Sequence, residues 1–285
     1  MKRKWLLFSI ITLLTWGIWG SLIEIPDKMG FPATLGYIVW TLSMVPCALV
    51  AGFLVKWNIE INVKSFFLGS IIGLLGAGGQ LILFEALRLG PAYIIFPFIS
   101  MSPAITILLS LIFLKEKATN LQKFGIVVAL IAILFLSYMP TDSKAKGFLW
   151  VILASFVFFM WGLQAFVMKF ANKTMRAESI FVYMTLMGLI LAPIAYYMTD
   201  FNGAINYSAK IISLTFLIQI LNSIGALTLV YAYRYGNAII VSPMTGLAPL
   251  ITIVLSLIIY STFPSIILLI GLILATIALI ILTKD

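Results

Sequence analysis

Residues 84–112 read FEALRLGPAYIIFPFISMSPAITILLSLI, and residues 230–258 read VYAYRYGNAIIVSPMTGLAPLITIVLSLI. Offset by 146 positions, the two stretches are identical at 14 of 29 positions. The identities include one Arg, one Gly and two Pro at fixed spacing, which a shared apolar composition alone does not produce. The chain therefore contains an internal duplication, and the duplicated segment is apolar enough to lie in a bilayer.

The composition is that of a membrane protein. The 285-residue chain is 63% hydrophobic and only 9% charged, whereas soluble domains carry about 25% charged residues. A helix needs about 20 mostly apolar residues to cross the hydrocarbon core. We therefore predict an all-α membrane protein with ten spans, at residues 4–23, 33–55, 65–87, 92–114, 122–140, 147–169, 178–199, 210–233, 238–260 and 264–283.

The net charge of +9 follows the predicted topology. With both termini in the cytoplasm, thirteen of the eighteen Lys and Arg residues fall on the cytoplasmic side and five on the other. This is the positive-inside bias of membrane proteins. We therefore expect a multi-pass protein of the bacterial inner (plasma) membrane, with the lipid bilayer as a partner and no nucleic acid.

The repeat extends over both halves of the chain. Further matches at nearly the same offset are Trp16 with Trp161, Gly79 with Gly225, and Gly125 with Gly271. We predict two five-helix repeats, residues 1–141 and 142–285. Because five is odd, the second repeat enters the membrane from the opposite side, and inverted repeats place a binding site near the midplane.

Paired prolines recur in the fourth and ninth predicted spans. They are Pro97 and Pro103 in the first half, and Pro243 and Pro249 in the second. Each proline removes a backbone donor and frees a carbonyl, which lipid does not tolerate unless protein or water satisfies it. We expect both spans to be kinked and to line an internal cavity, although proline is also common in membrane helices generally.

At this point the chain resembles a known family. Leu89-Gly90-x-Ala92 followed by Pro97 and Pro103, repeated in the second half, is similar to the EamA branch of the drug/metabolite transporter superfamily. Leu114-Lys115-Glu116-Lys117 also resembles that family's junction between the fourth and fifth spans. Lys115 stands where the family usually has Gly, and Thr262 stands where Glu116 would recur. This departure favours a structural role for the acid at one loop.

The resemblance implies ten helices in two inverted halves around a central cavity. Members of the family include exporters of amino acids and other metabolites. The resemblance therefore implies transport of a small organic molecule, with export as the direction.

Several polar and aromatic side chains are predicted to lie near the membrane midplane. Trp16 and Trp161 are related by the repeat, Trp19 is one turn from Trp16, and an aromatic wall suits apolar, aromatic or cationic groups. The other substrate-binding candidates are Gln80, Gln164, Gln219, Asn222 and Tyr231. The alternatives are core packing for the tryptophans and helix–helix hydrogen bonds for the amides. Close helix packing is the favoured role of Gly76, Gly78 and Gly79.

Glu24 and Glu85 are candidates for proton coupling, because ionisable residues within spans are often functional. Arg88 follows Glu85 by three residues, so the two side chains could instead form an ion pair. In the second half, Lys169 is the repeat counterpart of Glu24, and Arg234 is the counterpart of Arg88. The Lys169 side chain could extend to the headgroups.

The sequence contains no enzyme machinery that we recognise. It has no nucleophile elbow, no phosphate-binding loop and no histidine. With one cysteine, a His/Cys metal site is not expected, and no cofactor is predicted. We predict a secondary active transporter that uses alternating access, with a small-molecule substrate and with a proton or an exchange substrate as the coupling partner. The alternative is a non-transporting membrane scaffold or chaperone of the same fold, and the oligomeric state is left open.

Overall fold

The computed structural model describes residues 3–90, 92–137, 148–260 and 264–284, and all regular secondary structure in these ranges is helical. The helices of the first half are α1 (Lys4–Leu22), α2 (Glu24–Lys28), α3 (Ala33–Leu54), α4 (Val63–Gly73), α5 (Gly79–Leu89), α6 (Ala92–Ser100), α7 (Pro103–Phe113) and α8 (Asn120–Leu136). Those of the second half are α9 (Leu149–Ala171), α10 (Ala177–Tyr197), α11 (Ala209–Tyr235), α12 (Ala238–Thr245), α13 (Ala248–Tyr260) and α14 (Ile266–Leu282).

Within the described ranges, eight helical segments are long and apolar enough to cross a membrane. They are Lys4–Lys28, Ala33–Leu54, Val63–Leu89, Ile94–Phe113, Leu149–Ala171, Ala177–Tyr197, Ala209–Tyr235 and Ala238–Ile259. The two remaining predicted spans correspond to the shorter apolar helices α8 and α14. Each has 17 residues, which is at the lower limit for a span. The count of ten spans therefore stays a prediction.

Polar caps start helices at the edges of the apolar runs. At α4, the Asn62 side chain accepts a hydrogen bond from the Ser65 backbone N–H at 3.0 Å. At α8, Thr119 and Gln122 form a capping box in which each side chain accepts from the backbone N–H of the other. The caps satisfy backbone donors that have no partner within the helix.

The fourth and ninth predicted spans are each broken into two helices. The breaks fall between α6 and α7 and between α12 and α13, at equivalent places in the repeat. Pro103 is the first residue of α7 and Pro249 the second of α13, where a missing backbone N–H leaves no helical hydrogen bond unmade. Pro243 lies inside α12 and is buried. The side chain of Pro97 lies outside the part of the structure that is described.

The third predicted span also differs from a regular helix. Between α4 and α5 it contains a π-helical turn at Leu74–Gly78, whereas the equivalent part of α11 is a regular α-helix. Such turns often occur at functional sites. The change is local to the first half, in a stretch that is rich in glycine.

Equivalent helices pack across the two halves in exchanged pairs. Helix α1 packs along α11, and its counterpart α9 packs along α4 and α5; α3 packs on α10, and α8 on α14. Individual contacts follow the same exchange. The matching pairs are Trp16 on Gly225 with Trp161 on Gly79, Ile251 on Gly17 with Ile105 on Gly162, and Trp5 on Gly236 with Trp150 on Gly90. This exchange supports an approximate two-fold relation between the halves, while their inverted orientation in a membrane stays a prediction.

The two ends of the bundle can be recognised from contacts between loops. Trp5, near the first described residue, packs on Gly236, and Leu282, near the last, packs near Gly125. We call this the terminal end. At the other end, which we call the opposite end, the Asn206 backbone N–H donates to the Gly30 carbonyl oxygen at 2.9 Å.

Candidate functional site

A cavity of about 390 Å³ lies between the two halves. This volume is in the range of about 300–1,000 Å³ that is usual for small-molecule sites. The broken helices contribute to the wall, because Ser102 and Pro103 come from the first break and Gly246 and Pro249 from the second. The other described lining residues are Trp16, Trp19, Gly20, Trp40, Met44, Gly73, Gly76, Ala77, Gln80, Thr106, Trp161, Gln164, Ala165, Met184, Asn222, Ala226, Leu229, Tyr233, Ser242, Thr245, Ala248 and Thr252.

Four tryptophans line this cavity, and the protein orients three of them by hydrogen bonds. The Trp16 indole N–H donates to the Asn222 carbonyl oxygen at 3.2 Å. Its repeat counterpart Trp161 donates to the Gly76 carbonyl oxygen at 3.4 Å. Positions 76 and 222 are themselves related by the offset of 146, so the repeat conserves both the ring and its acceptor within this chain.

The remaining two indole groups differ in their hydrogen bonding. Trp19 donates to the Gln219 side-chain oxygen at 3.0 Å. Trp40 carries a buried indole N–H that has no hydrogen-bond partner in the described part of the chain. A buried donor without a partner costs free energy.

Three carboxamide side chains also line the cavity, those of Gln80, Gln164 and Asn222. None of the three makes a side-chain hydrogen bond to the described residues. Each carboxamide offers two donors and an acceptor. The wall therefore presents free hydrogen-bonding groups beside aromatic rings.

The described lining residues carry no charge. Two threonine hydroxyls of the cavity lining already have hydrogen-bond partners in the protein. Thr252 donates to the Gly17 carbonyl oxygen and Thr106 donates to the Gly162 carbonyl oxygen, each at 2.9 Å. Both bonds join a broken span to the glycine that follows a repeat-related tryptophan. They hold the wall together.

The structure places two of the predicted substrate-binding residues outside the lining. Gln219 is buried and supports Trp19, while its amide nitrogen donates to the Gly36 carbonyl oxygen at 3.1 Å. Tyr231 stacks on Phe8 and donates to the Glu178 carboxylate at 2.6 Å. Both side chains already have partners in the protein, which the sequence did not indicate.

The glycines of the third span allow close packing beside the cavity. A Cβ atom on Gly79 would lie 2.6 Å from the indole nitrogen of Trp161, and one on Gly76 would collide with the Gln164 side chain. Gly78 has more room, because the nearest atom would be the Met160 methyl group at 3.4 Å. Gly76 also lines the cavity.

The two coupling candidates lie away from the cavity. Glu24 forms an exposed ion pair with Lys28 at 2.7 Å, and Glu85 forms one with Arg88 at 2.5 Å. Each partner lies on the same helical segment, three or four residues away. A role in proton coupling therefore stays a prediction for both.

Sequence reasoning missed Trp40 and Tyr233, which both line the cavity. Trp40 lies four residues from the middle of its predicted span, so its expected depth near the membrane midplane could have marked it as a binding-site candidate. Tyr233 is fully buried although it lies near the end of a predicted span, and no local pattern marks it.

The EamA-like transporter family matches the chain over residues 3–138 and 146–284. The chain belongs to this family, which is part of the drug/metabolite transporter superfamily. Together with the long apolar helices, this makes it an integral, multi-pass membrane protein.

The chain is also similar to individual proteins. An uncharacterized protein of Methanocaldococcus jannaschii is 38% identical over 102 residues, which are 35% of this chain and 72% of that protein. A solved crystal structure of a protein superposes with a TM-score of 0.81 at 16% identity, covering 99% of this chain and 97% of the other. The second likeness concerns the fold alone.

Proposed function

We propose that the protein is a secondary active transporter of a small organic metabolite that works by alternating access. The observation that carries the proposal is the cavity between the halves, which combines four indoles with three carboxamides that have no hydrogen-bond partner among the described residues. The three amides are half-buried and line the cavity, so their donors and acceptors are accessible to a substrate. A substrate that pairs with them accounts for the arrangement.

The lining further suggests the class of substrate. Indole faces attract apolar, aromatic and cationic groups, and carboxamides pair with hydrogen-bonding substituents of either kind. A carboxylate or phosphate would find no lysine or arginine among the described lining residues to neutralise it, and an uncompensated charge against a mostly apolar wall is costly. We therefore propose a compact substrate with an aromatic or aliphatic body and no net negative charge.

Membrane orientation and energy coupling complete the proposal. We propose ten spans in two inverted five-helix repeats (residues 1–141 and 142–285), with both termini in the cytoplasm and export as the direction. The sequence lacks a phosphate-binding loop. Uphill transport therefore relies on an ion gradient or on exchange. A scaffold of the same fold would be expected to fill its interior, so the open cavity favours transport.

A thermal-shift experiment on the purified protein in detergent tests the site. The probes share a phenyl ring and differ in charge: 2-phenylethylamine, 3-phenylpropionamide and 3-phenylpropionate. We expect the amine and the amide to raise the melting temperature and the carboxylate to leave it unchanged. A ligand at 100 times its Kd adds about 2.7 kcal/mol to the stability of the folded state, which a melting curve resolves.

Counterflow in proteoliposomes tests transport itself. Vesicles loaded with an unlabelled probe that stabilises the protein should accumulate the labelled probe, and vesicles without protein should not. Stabilisation by the carboxylate alone would overturn the proposed substrate class. Binding without counterflow would favour the scaffold.

A further inference from the structure

A buried carboxylate lies at the terminal end of the bundle, outside the cavity. Glu116 is in the loop between α7 and α8, and its side chain is only 7% exposed. One carboxylate oxygen accepts a hydrogen bond from the Ile239 backbone N–H at 3.1 Å. The other has no hydrogen-bond partner among the described residues and lies 3.8 Å from the Lys169 ammonium group.

Lys169 completes the arrangement from the last turn of α9. Its side chain is 14% exposed, so it does not extend to the headgroups as the sequence suggested. The ammonium group instead donates to the Tyr233 carbonyl oxygen at 3.0 Å and to the Gly236 carbonyl oxygen at 2.6 Å. These carbonyls belong to the end of α11, where helices leave acceptors without partners.

The two charged side chains bond to the two ends of the turn between α11 and α12. Lys169 lies at the C-terminus of α11 and Glu116 at the N-terminus of α12, which are the helix ends that favour a cation and an anion, respectively. We call Glu116, Lys169 and the turn at 235–237 the α11–α12 clamp. Because Glu116 belongs to the first half and Lys169 to the second, the clamp joins the two halves.

The clamp is separated from the cavity only by α12 and the end of α11. All residues of α12 are buried, and Ser242 and Thr245 from this helix line the cavity. Tyr233 gives its carbonyl oxygen to Lys169 while its side chain lines the cavity. Movement of this turn would therefore change the cavity wall directly.

The opposite end lacks an equivalent clamp in the described part of the chain. The repeat places Glu24 at the position of Lys169, but Glu24 is 63% exposed and pairs with Lys28 on its own helical segment. The repeat counterpart of Glu116 is Thr262, which carries no charge. The two charged residues of the clamp are therefore not repeated at the related positions of the other half.

We propose that the α11–α12 clamp is the gate at the terminal end, and that substrate passes this end only after Glu116 and Lys169 separate. The inference rests on the proposed transport function. Two halves that rock relative to each other must break contacts at one end, and a cross-half pair next to the cavity wall is such a contact. Removing one partner leaves the other charge buried and without its counter-charge in the closed state, which is costly. In the open state that charge regains water, so the substitution shifts the population toward the open state.

Thiol labelling from one membrane face tests the gate without any substrate. The single native cysteine, Cys47, is replaced by serine, and Ser242→Cys introduces a thiol into α12. A membrane-impermeant maleimide is applied to sealed vesicles of each orientation. Lys123→Cys, on the exposed start of α8, identifies the vesicles whose outer face carries the terminal end.

We expect slow labelling of position 242 from the terminal end, and labelling at least about tenfold faster with Glu116→Gln or Lys169→Met. Minor conformations are commonly populated at about 0.1–10%. If the open state of the parent protein is such a minor conformation, making it the major one raises the labelling rate at least about tenfold. Asp200→Asn is the control and should leave the rate unchanged, because this carboxylate is exposed at the opposite end and accepts hydrogen bonds from Asn202. Glu116→Asp, which keeps the charge, provides a milder variant if the others do not fold.

The native cysteine distinguishes gate opening from general loosening. Cys47 is buried in the core between α3 and α10, so its labelling in the otherwise native protein should not respond to Glu116→Gln. Unchanged labelling at position 242 in all clamp variants would overturn the gate, as would equal acceleration at Cys47. Because no substrate is needed, the absence of any transport would contradict the proposed function without affecting this result.

Discussion

Trp161 and Gly79 are in direct contact across the two halves, and the repeat reproduces that contact between Trp16 and Gly225. In each case the indole ring occupies the space where a glycine has no side chain. The indole then donates to a carbonyl oxygen three residues before that glycine. The same ring therefore joins the halves and forms the cavity wall.

Replacing Gly79 by alanine should destabilise the protein. The added methyl group would lie 2.6 Å from the Trp161 indole nitrogen, and overpacking of this kind costs about 1–3 kcal/mol. Thermal unfolding in detergent measures the effect. Gly203→Ala is the control, because nothing lies within 4 Å of its added methyl group; equal melting temperatures for the two variants would contradict the packing.

Asn222→Ala should weaken ligand binding while leaving the melting temperature of the unliganded protein nearly unchanged. Its side chain has no hydrogen bond to the described protein, and its carbonyl group, which holds Trp16, is retained in alanine. Loss of one hydrogen bond is worth about 0.5–1.5 kcal/mol, or up to about a tenfold rise in Kd.

Asn172→Ala provides the reverse control for this experiment. The Asn172 amide donates to the carbonyl oxygens of Met168 and Val230 at 3.0 and 3.2 Å, and none of these three residues lines the cavity. We expect this variant to lose stability and to bind the ligand normally. Unaltered affinity in Asn222→Ala would remove that residue from the site.

Trp40→Phe should cost less stability than Trp16→Phe, because the indole N–H that it removes has no partner in the described chain. Trp16→Phe loses the same part of the ring and also the bond to the Asn222 carbonyl oxygen, which is worth about 1 kcal/mol. Chemical or thermal unfolding of the two variants measures the difference. Destabilisation of similar size in both variants would argue against a free donor at Trp40.

Lys115→Gly should be neutral or stabilising by up to about 1 kcal/mol. Lys115 has a φ of 53°, in the left-handed region that costs a residue with a side chain about 1–2 kcal/mol, while glycine loses more entropy on folding. Lys115→Val should be clearly destabilising, because a β-branched side chain fits this region poorly. Melting temperatures of both variants check the prediction, and a large loss of stability in Lys115→Gly would contradict it.

This backbone conformation also explains a departure noted in the sequence. The resemblance to the family led us to expect glycine at position 115, and Lys115 has a positive φ in the left-handed region that glycine adopts readily. The turn follows the end of α7 and directs Glu116 toward Ile239 and Lys169. The motif around Glu116 could therefore be recognised in the sequence, whereas the pairing of Glu116 with Lys169 could not.

The duplication, the membrane character and the pair of repeat-related tryptophans could be predicted from the sequence, because these features depend on composition and on spacing along the chain. It also located the breaks in the fourth and ninth predicted spans through paired prolines, whose effect on a helix is local. Three of the four predicted carboxamides line the cavity, since polar groups in apolar helices must turn inward.

Which polar side chains already have hydrogen-bond partners became visible only in the folded protein. Gln219 and Tyr231 look like free polar groups in the sequence, yet they bond to Gly36 and Glu178 on other helices. The partner of Glu116 lies on a helix of the other half. Hydrophobic periodicity and proline spacing act within one helix, whereas these contacts depend on how distant helices pack, and no pattern within a single span records that packing.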